Sequence, residues 1–442
     1  MSRRTAAPAL RGLGAAAFAC ALLAAPAARA QVADSTWFRV EVGASSDVTN
    51  ERFVEETYDD TTFTGTRTTG SPEFRNAGLL VLDAAGALRG ARYRLRQEAV
   101  AGDHLLRSYS RLELVGEPRD GWRAAFGPEL DLRRDRSFGD DRREARFRPE
   151  ARVRAISLDH RDTWDLALGG EWARTSGTSE ALVLDRDVLR GTARWAHAPY
   201  EGLWETEVSY GLDHRTFPDS AARDHLEQHG QFALRRLLPK GGFSLVEVQV
   251  DRRAPRTAVV STRDRFWSGR GDLSASVPLH DHLRFEFAAG FDGYRYDEPD
   301  TSVYFDYALT SLRPSLRWSL AHDWSVRIGP RFDWLVSPRV ASERYRQISV
   351  VLEAERLHER DWWSFAPSFG WRDYDLSASV VSLDEPDLHS SYLFLEGDVF
   401  AEVALPVRAR LRVTGSGRWE RHEDPTQDAT SLYLALDVRR GF

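Results

Sequence analysis

The 442-residue chain almost lacks the residues that staple or soften a structure: it has one Cys, one Met and, at position 240, one Lys. Cys20 and Met1 both fall in the first thirty residues, so an exported form that has shed them carries no disulfide and is stabilised by other means. Long hydrophobic runs are missing as well. Beyond the extreme N-terminus nothing approaches the roughly 20 apolar residues that a spanning helix needs, which excludes a helical membrane bundle. There is no basic excess. The formal charge is −7 although four arginines crowd the first thirty residues, so the remainder is more acidic still and a nucleic-acid partner is excluded. No Gly-rich phosphate loop, Cys ligand set or nucleotide fingerprint is found, and no cofactor is expected. Aromatic residues, by contrast, are plentiful: 14 Trp, 13 Tyr and 22 Phe supply far more bulky apolar surface than a disordered chain carries.

Residues 1–30 have the three-part layout of a secretory signal peptide: Arg3, Arg4 and Arg11, then the apolar stretch Leu13 to Ala25, then Ala28-Arg29-Ala30 at the cleavage position. Residues 31–442 are read as one domain. Turn-like stretches recur through it, each followed by a large residue at Trp122, Trp164, Trp204, Phe243, Leu283, Trp324 and Trp362, at steps of 42, 40, 39, 40, 41 and 38 residues. A period near forty fits either a propeller or an up-and-down barrel with one long hairpin per repeat.

Strand length and facial chemistry separate the two. Between turns the chain alternates strictly for ten to fourteen residues. Trp324, Val326, Ile328, Pro330, Phe332 and Trp334 form one apolar file, and Trp363, Phe365, Pro367, Phe369 and Trp371 another. Charged files interleave with such rows: Arg146, Arg148, Arg152 and Arg154 on one strand, and Glu205 and Glu207 on another. A propeller blade is apolar on both faces and does not tolerate these charges. A soluble sandwich uses strands nearer five or six residues. The reading is therefore all-β: a transmembrane up-and-down antiparallel β-barrel of about 18–20 strands, with twenty the best value. Its apolar file faces lipid and its ionised file faces enclosed water.

On this reading the lumen-facing charges are Arg92, Arg94, Arg96, Arg146, Arg148, Arg152, Arg154, Glu205, Glu207, Glu353, Glu355, Glu396, Asp398, Glu402, Arg408, Arg410 and Arg412. Facing files such as Asp398–Arg412 and Glu402–Arg408, paired across the Pro406 turn, are expected to brace the wall as ladder salt bridges. Trp122, Trp164, Trp204, Trp324 and Trp362 are expected to form a girdle at the boundary between hydrocarbon and headgroups. Residues 45–73, rich in Asp, Thr and Ser, read as a long first outer loop that folds either into the lumen as a plug or outward as a flap. Further outer loops are expected at 136–142, 214–224, 252–264, 335–343, 374–390 and 422–429. His225 and His229, with Asp213, His214 and Glu227 nearby, lack the order of a helical zinc motif and read as solvated loop residues. Neither a catalytic nor a metal site is expected.

The last strand carries a resemblance. Leu432, Leu434, Leu436 and Val438 share one face, and Phe442 ends the chain. This resembles the terminal strand of Gram-negative outer-membrane β-barrel proteins, a porin-like superfamily; Arg440 departs from the pattern, in which an apolar residue commonly sits two before the end. The resemblance implies a place in the bacterial outer membrane, contact with its lipid and lipopolysaccharide, and recognition of the C-terminal strand, with Phe442, by the barrel-assembly machinery. The expected function is a passive channel for small hydrophilic solutes rather than an enzyme. Assembly, secretion or surface anchoring of another macromolecule is the runner-up, and a rim-site hydrolase the third possibility. Oligomeric state is not legible, because a subunit-facing wall is as apolar as a lipid-facing one.

Overall fold

Alternating residues make a strand with two chemically different faces, and such strands are stable only when both backbone edges are paired and each face meets a suitable medium. The computed structural model satisfies this demand by closure. It describes residues 36–442 apart from 60–61, 70–71, 89–90, 138–139, 178–184, 200, 257–264, 298–304, 322, 359–360, 376–388, 407–408 and 442; for 49–74 only the backbone is described. The expected signal peptide, Arg408 and Phe442 lie outside these residues.

Among the described residues twenty-one strands follow one another: β1 (Trp37–Asp59), β2 (Thr62–Thr69), β3 (Pro72–Leu88), β4 (Ala91–Gly102), β5 (Leu105–Arg119), β6 (Trp122–Ser137) and β7 (Asp140–Ile156). Then come β8 (Asp162–Ser176), β9 (Arg186–His197), β10 (Trp204–Thr216), β11 (His225–Leu238), β12 (Gly242–Pro255), β13 (Phe266–His280) and β14 (Leu283–Tyr296). The last seven are β15 (Tyr307–Ala321), β16 (Trp324–Val336), β17 (Tyr345–His358), β18 (Asp361–Tyr374), β19 (Tyr392–Leu405), β20 (Ala409–His422) and β21 (Ala429–Gly441). From β3 onward each pairs antiparallel with the next, and β1 pairs with β3 on one side and β21 on the other. β2 and β3 run in succession against β1, so the wall is a closed cylinder of twenty strands. Closure leaves no edge to be satisfied by lipid or by another chain.

The register Glu41↔Gly441 through Phe53↔Ala429 overturns the expectation of a loop at 45–73. Ser45 to Asn50 are wall, held on both sides. Beyond them Phe53 to Asp59 pair with Thr69 to Thr62, extending the wall as a two-stranded ribbon. The polarity of this Thr-rich segment suggested a loop, but its β-branched content suits a strand. Residues 136–137 and 140–142 are likewise ladder rather than loop, down to the pair Ser137↔Asp140.

Proline, unable to donate to a ladder, is ordinarily confined to edges. This wall carries Pro128, Pro149, Pro314 and Pro367 in its interior, and the register lapses beside each: between Arg111↔Glu129 and Leu114↔Phe126, Phe147↔Trp172 and Glu150↔Gly169, Leu312↔Phe332 and Leu316↔Ile328, and Val351↔Ser368 and Ala354↔Phe365. Short turns join the strands at the end where β1 begins. One of the two-residue turns, Arg119 to Trp122, uses a left-handed residue, and Gly121 supplies it at φ 75°; a Cβ there would also meet the Ile156 carbonyl oxygen at 2.9 Å.

Candidate functional site: the ion-lined inner wall

A curved sheet crowds side chains on its concave face and splays them on its convex face. The charged files bridge strands that are not neighbours, which only a concave face permits. Glu353 of β17 binds Arg313 of β15, Arg317 of β15 reaches Glu355 of β17 at 3.0 Å, and Arg327 of β16 reaches Glu286 of β14 at 3.3 Å. The apolar files point the other way and stand exposed: Leu168 is 69% accessible, while its neighbour on the opposite face, Ala167, is 9% accessible.

The expected lumen residues fall on this concave face as follows. Arg92 pairs with Glu117 at 2.6 Å, Arg94 with Asp83 at 3.0 Å, and Arg96 with Glu98 at 3.1 Å. On β7, Arg146 binds Glu144, Arg152 binds Glu150 at 3.1 Å, and Arg154 binds Asp165 at 2.8 Å. Arg148 lies between two acids, Glu129 at 2.9 Å and Glu171 at 2.6 Å. Glu205 meets Arg235 at 3.6 Å, and Glu207 holds Arg194 through two bonds of 2.5 Å. Glu396 accepts a 3.4 Å bond from the Ser368 hydroxyl, and Asp398 lies opposite Ser416.

The expected pairings across the Pro406 turn are corrected by the register. Glu402 stands opposite Arg412, four residues from where the sequence suggested, and binds both Arg412 (2.8 Å) and Arg410 (3.0 Å). Asp398 is therefore not the partner of Arg412. Turn length sets register, and a connection whose turn type is not legible leaves it open. The acids that complete the network, among them Asp83, Asp131, Asp165, Glu171 and Glu286, were passed over; their parity along each strand marked them, but the partner across the ladder was not readable.

On the convex face Trp122, Trp164, Trp204 and Trp324 stand at the short-turn end of their strands, as a girdle requires. Trp362 does not join them. It lies opposite Glu402 and packs on Phe400 at 4.6 Å, so it belongs to the concave file. Its neighbour Trp363 takes the outer position and meets Trp324 edge-on at 4.4 Å. A second outer row at the long-loop end went unread: Trp172, Trp267, Trp334, Trp371 and Trp419. Arginines accompany it, with Trp267 between Arg252 and Arg295 in the register and Trp334 opposite Arg346. From Trp324 to Trp334 a strand tilted by roughly 40° climbs about 25 Å, the height of a hydrocarbon core.

His225 and His229 are wall residues of β11, not solvated loop residues, and His225 is only 2% accessible. Ligand atoms of Asp213, Glu227 and His229 lie within 4.8 Å of one another, a spacing that suits a metal ion. The carboxylates are already committed. Asp213 accepts two bonds from Arg190 (2.8 and 2.7 Å), Glu227 binds Arg215 at 2.6 Å and His225 at 3.1 Å, and His229 Nδ1 lies 2.7 Å from Asp251. A cation would have to displace two guanidinium groups, so the cluster reads as a braced, charge-balanced part of the wall.

In the turns outside the wall, two carboxylates are held below their ordinary range. Asp159 accepts a hydrogen bond from the Ser157 hydroxyl, and Asp323 is bound by the Arg356 guanidinium at 3.0 Å.

No family model matches the chain, and no curated protein sequence matches it. Solved structures do, at low identity. The siderophore receptor PirA from Pseudomonas aeruginosa superposes with a TM-score of 0.53 at 10% identity, covering 91% of this chain and 80% of that one. The FrpB iron transporter from Neisseria meningitidis gives 0.56 at 8% identity, covering 93% and 82%. The copper transporter OprC gives 0.55 at 10% identity, covering 93% and 81%. The chain thus has the fold of the Gram-negative outer-membrane β-barrels.

Proposed function

We propose that this chain is an outer-membrane barrel through which small hydrophilic solutes diffuse passively. One observation carries the reading: a closed twenty-strand wall keeps ionised side chains on its concave face and bare apolar ones, edged by two Trp rows, on its convex face. Burying so many ion pairs in a dry interior would cost several kcal/mol per ion, whereas in contact with water each costs little. A lumen of this width is not filled by single side chains, and a hydrated path is the expected consequence. The fold it shares with solved outer-membrane transporters supports the location and the transport role. Because those structures are named as a siderophore receptor and as iron and copper transporters, a gated receptor for a specific ligand is the second reading.

The partners follow the same geometry. The outer arginines Arg252, Arg295, Arg346 and Arg421, beside the upper Trp row, suit phosphate-bearing lipid headgroups. The last strand, β21, with Phe442 next to it in the sequence, suits recognition by the assembly machinery. Reconstitution of the purified protein in a planar bilayer tests the transport role. Stepwise ohmic currents are expected; a protein that inserts and never conducts would overturn the channel and leave the receptor.

A further inference from the structure

Arginines on the concave wall are not evenly complemented. β4 carries Arg92, Arg94 and Arg96 against Glu98, and β7 carries Arg142, Arg146, Arg148, Arg152 and Arg154 against Glu144 and Glu150. On the concave face of β4–β7 the register also sets arginine directly opposite arginine three times, at Arg107↔Arg133, Arg96↔Arg111 and Arg123↔Arg154; a fourth pair, Arg134↔Arg143, lies on the convex face. Like charges in that relation have Cβ atoms about 5 Å apart and destabilise a sheet. Arg107 lies two residues from the long-loop end of β5, and Arg123 one residue from the short-turn end of β6, so the three pairs are spread along the whole height of the wall.

One member of each of the two lower pairs has no acid to neutralise it. Arg111 and Arg123 are exposed and make no ion pair among the described residues. The residue opposite Arg111 on β6, Glu129, is committed to Arg148 at 2.9 Å and to the Tyr109 hydroxyl at 3.0 Å. The residue opposite Arg123, Arg154, is itself held by Asp165 at 2.8 Å. A guanidinium presents a planar fork that matches an oxyanion, and two side by side in an enclosed space match it better than either alone.

We propose that the β4–β7 wall is a path for small anionic solutes, compounds carrying carboxylate or phosphate groups, which step between arginine pairs from one mouth of the barrel to the other. The inference rests on the channel reading and gives it a substrate class. An anion between paired arginines relieves a repulsion that the sheet otherwise carries, and the spacing of the pairs keeps any single site shallow enough to leave.

Two measurements on the full mature chain separate this inference from the channel reading. In a planar bilayer under a KCl gradient, the reversal potential should show chloride passing about two- to fivefold more readily than potassium. Arg111→Gln combined with Arg123→Gln should bring that ratio to about one. Both residues are exposed and neither is held by an acid among the described residues, so the variant should fold, as checked by its heat-dependent migration on a gel. Calorimetric titration of the detergent-solubilised protein with citrate should show binding that the double variant weakens about tenfold or more. Conductance without anion preference, or preference unchanged in the double variant, together with no citrate binding, would overturn the anion path and leave the channel standing. Citrate binding lost in the double variant of a protein that never conducts would keep the anion site and remove the channel.

Discussion

Two stretches of the same inner wall use arginine in opposite ways. Across β14–β17, Arg317 and Arg327 also stand opposite each other, but Glu286 reaches both, Glu355 takes Arg317 and Glu353 binds Arg327 together with Arg313. Three carboxylates bind three guanidinium groups across four strands, and the repulsion in the register is cancelled within the wall. Across β4–β7 the same kind of register pair is left open at Arg111 and Arg123. The difference teaches that charge lining a barrel has two uses. Where every guanidinium has its acid, the charges tie neighbouring strands together; where it does not, the wall presents a field to whatever passes.

If that division holds, the two stretches respond differently to substitution. The largest effect is expected at Glu353→Ala, which strands Arg313 half-buried and leaves Arg327 with Glu286 alone. Unfolding in denaturant from detergent micelles should show a loss of about 2 kcal/mol, a partly solvated version of breaking a buried pair. A loss below about 0.5 kcal/mol would put the β14–β17 network on the same footing as ordinary surface pairs. Glu129→Ala should cost less, about 1 kcal/mol, because Arg148 keeps Glu171, and it should raise anion preference by adding net positive charge to the β4–β7 wall. Arg111→Gln should leave stability within about 0.5 kcal/mol of the parent, since no acid is lost and only the contact with the Tyr109 side chain is given up. A marked destabilisation would mean that this arginine braces the wall after all.

The smallest effect concerns acid, and it falls on the turns rather than the wall. Asp323 is held below its ordinary value by Arg356, so its contribution is present above the unfolded-state value and disappears as pH falls through the folded-state one. Unfolding midpoints should be flat from about pH 8 to 5 and decline slightly below about pH 4, and Asp323→Asn should flatten that last decline. A decline that begins near pH 6 would point to histidine instead.

Much of this was readable beforehand because period-2 alternation and a forty-residue hairpin repeat are properties of the chain alone. The twenty-strand count and the parity of Arg92 to Arg96 or Arg146 to Arg154 needed no partner strand. Register did. Glu402 could be assigned to a face, yet its companion was misjudged by four residues because the turn at Pro406 was not legible. Trp362 and Trp363 show the finer limit: adjacent tryptophans occupy opposite faces, and a one-residue choice moves a ring from lipid to lumen. The ribbon at Phe53 to Thr69 was hidden by its polarity, and His225 by its closeness to a turn.

The central claim, that consecutive residues alternate between bilayer and enclosed water, is open to one direct measurement. Cys20 is the chain's one cysteine, so residues 31–442 offer a cysteine-free background. Single substitutions Val208→Cys, Ser209→Cys, Tyr210→Cys and Gly211→Cys on β10, in protein reconstituted in vesicles, can be treated with a charged, membrane-impermeant thiol reagent. Labelling at 209 and 211 with protection at 208 and 210 is the predicted result. Equal labelling at all four positions, or the reverse alternation, would contradict it.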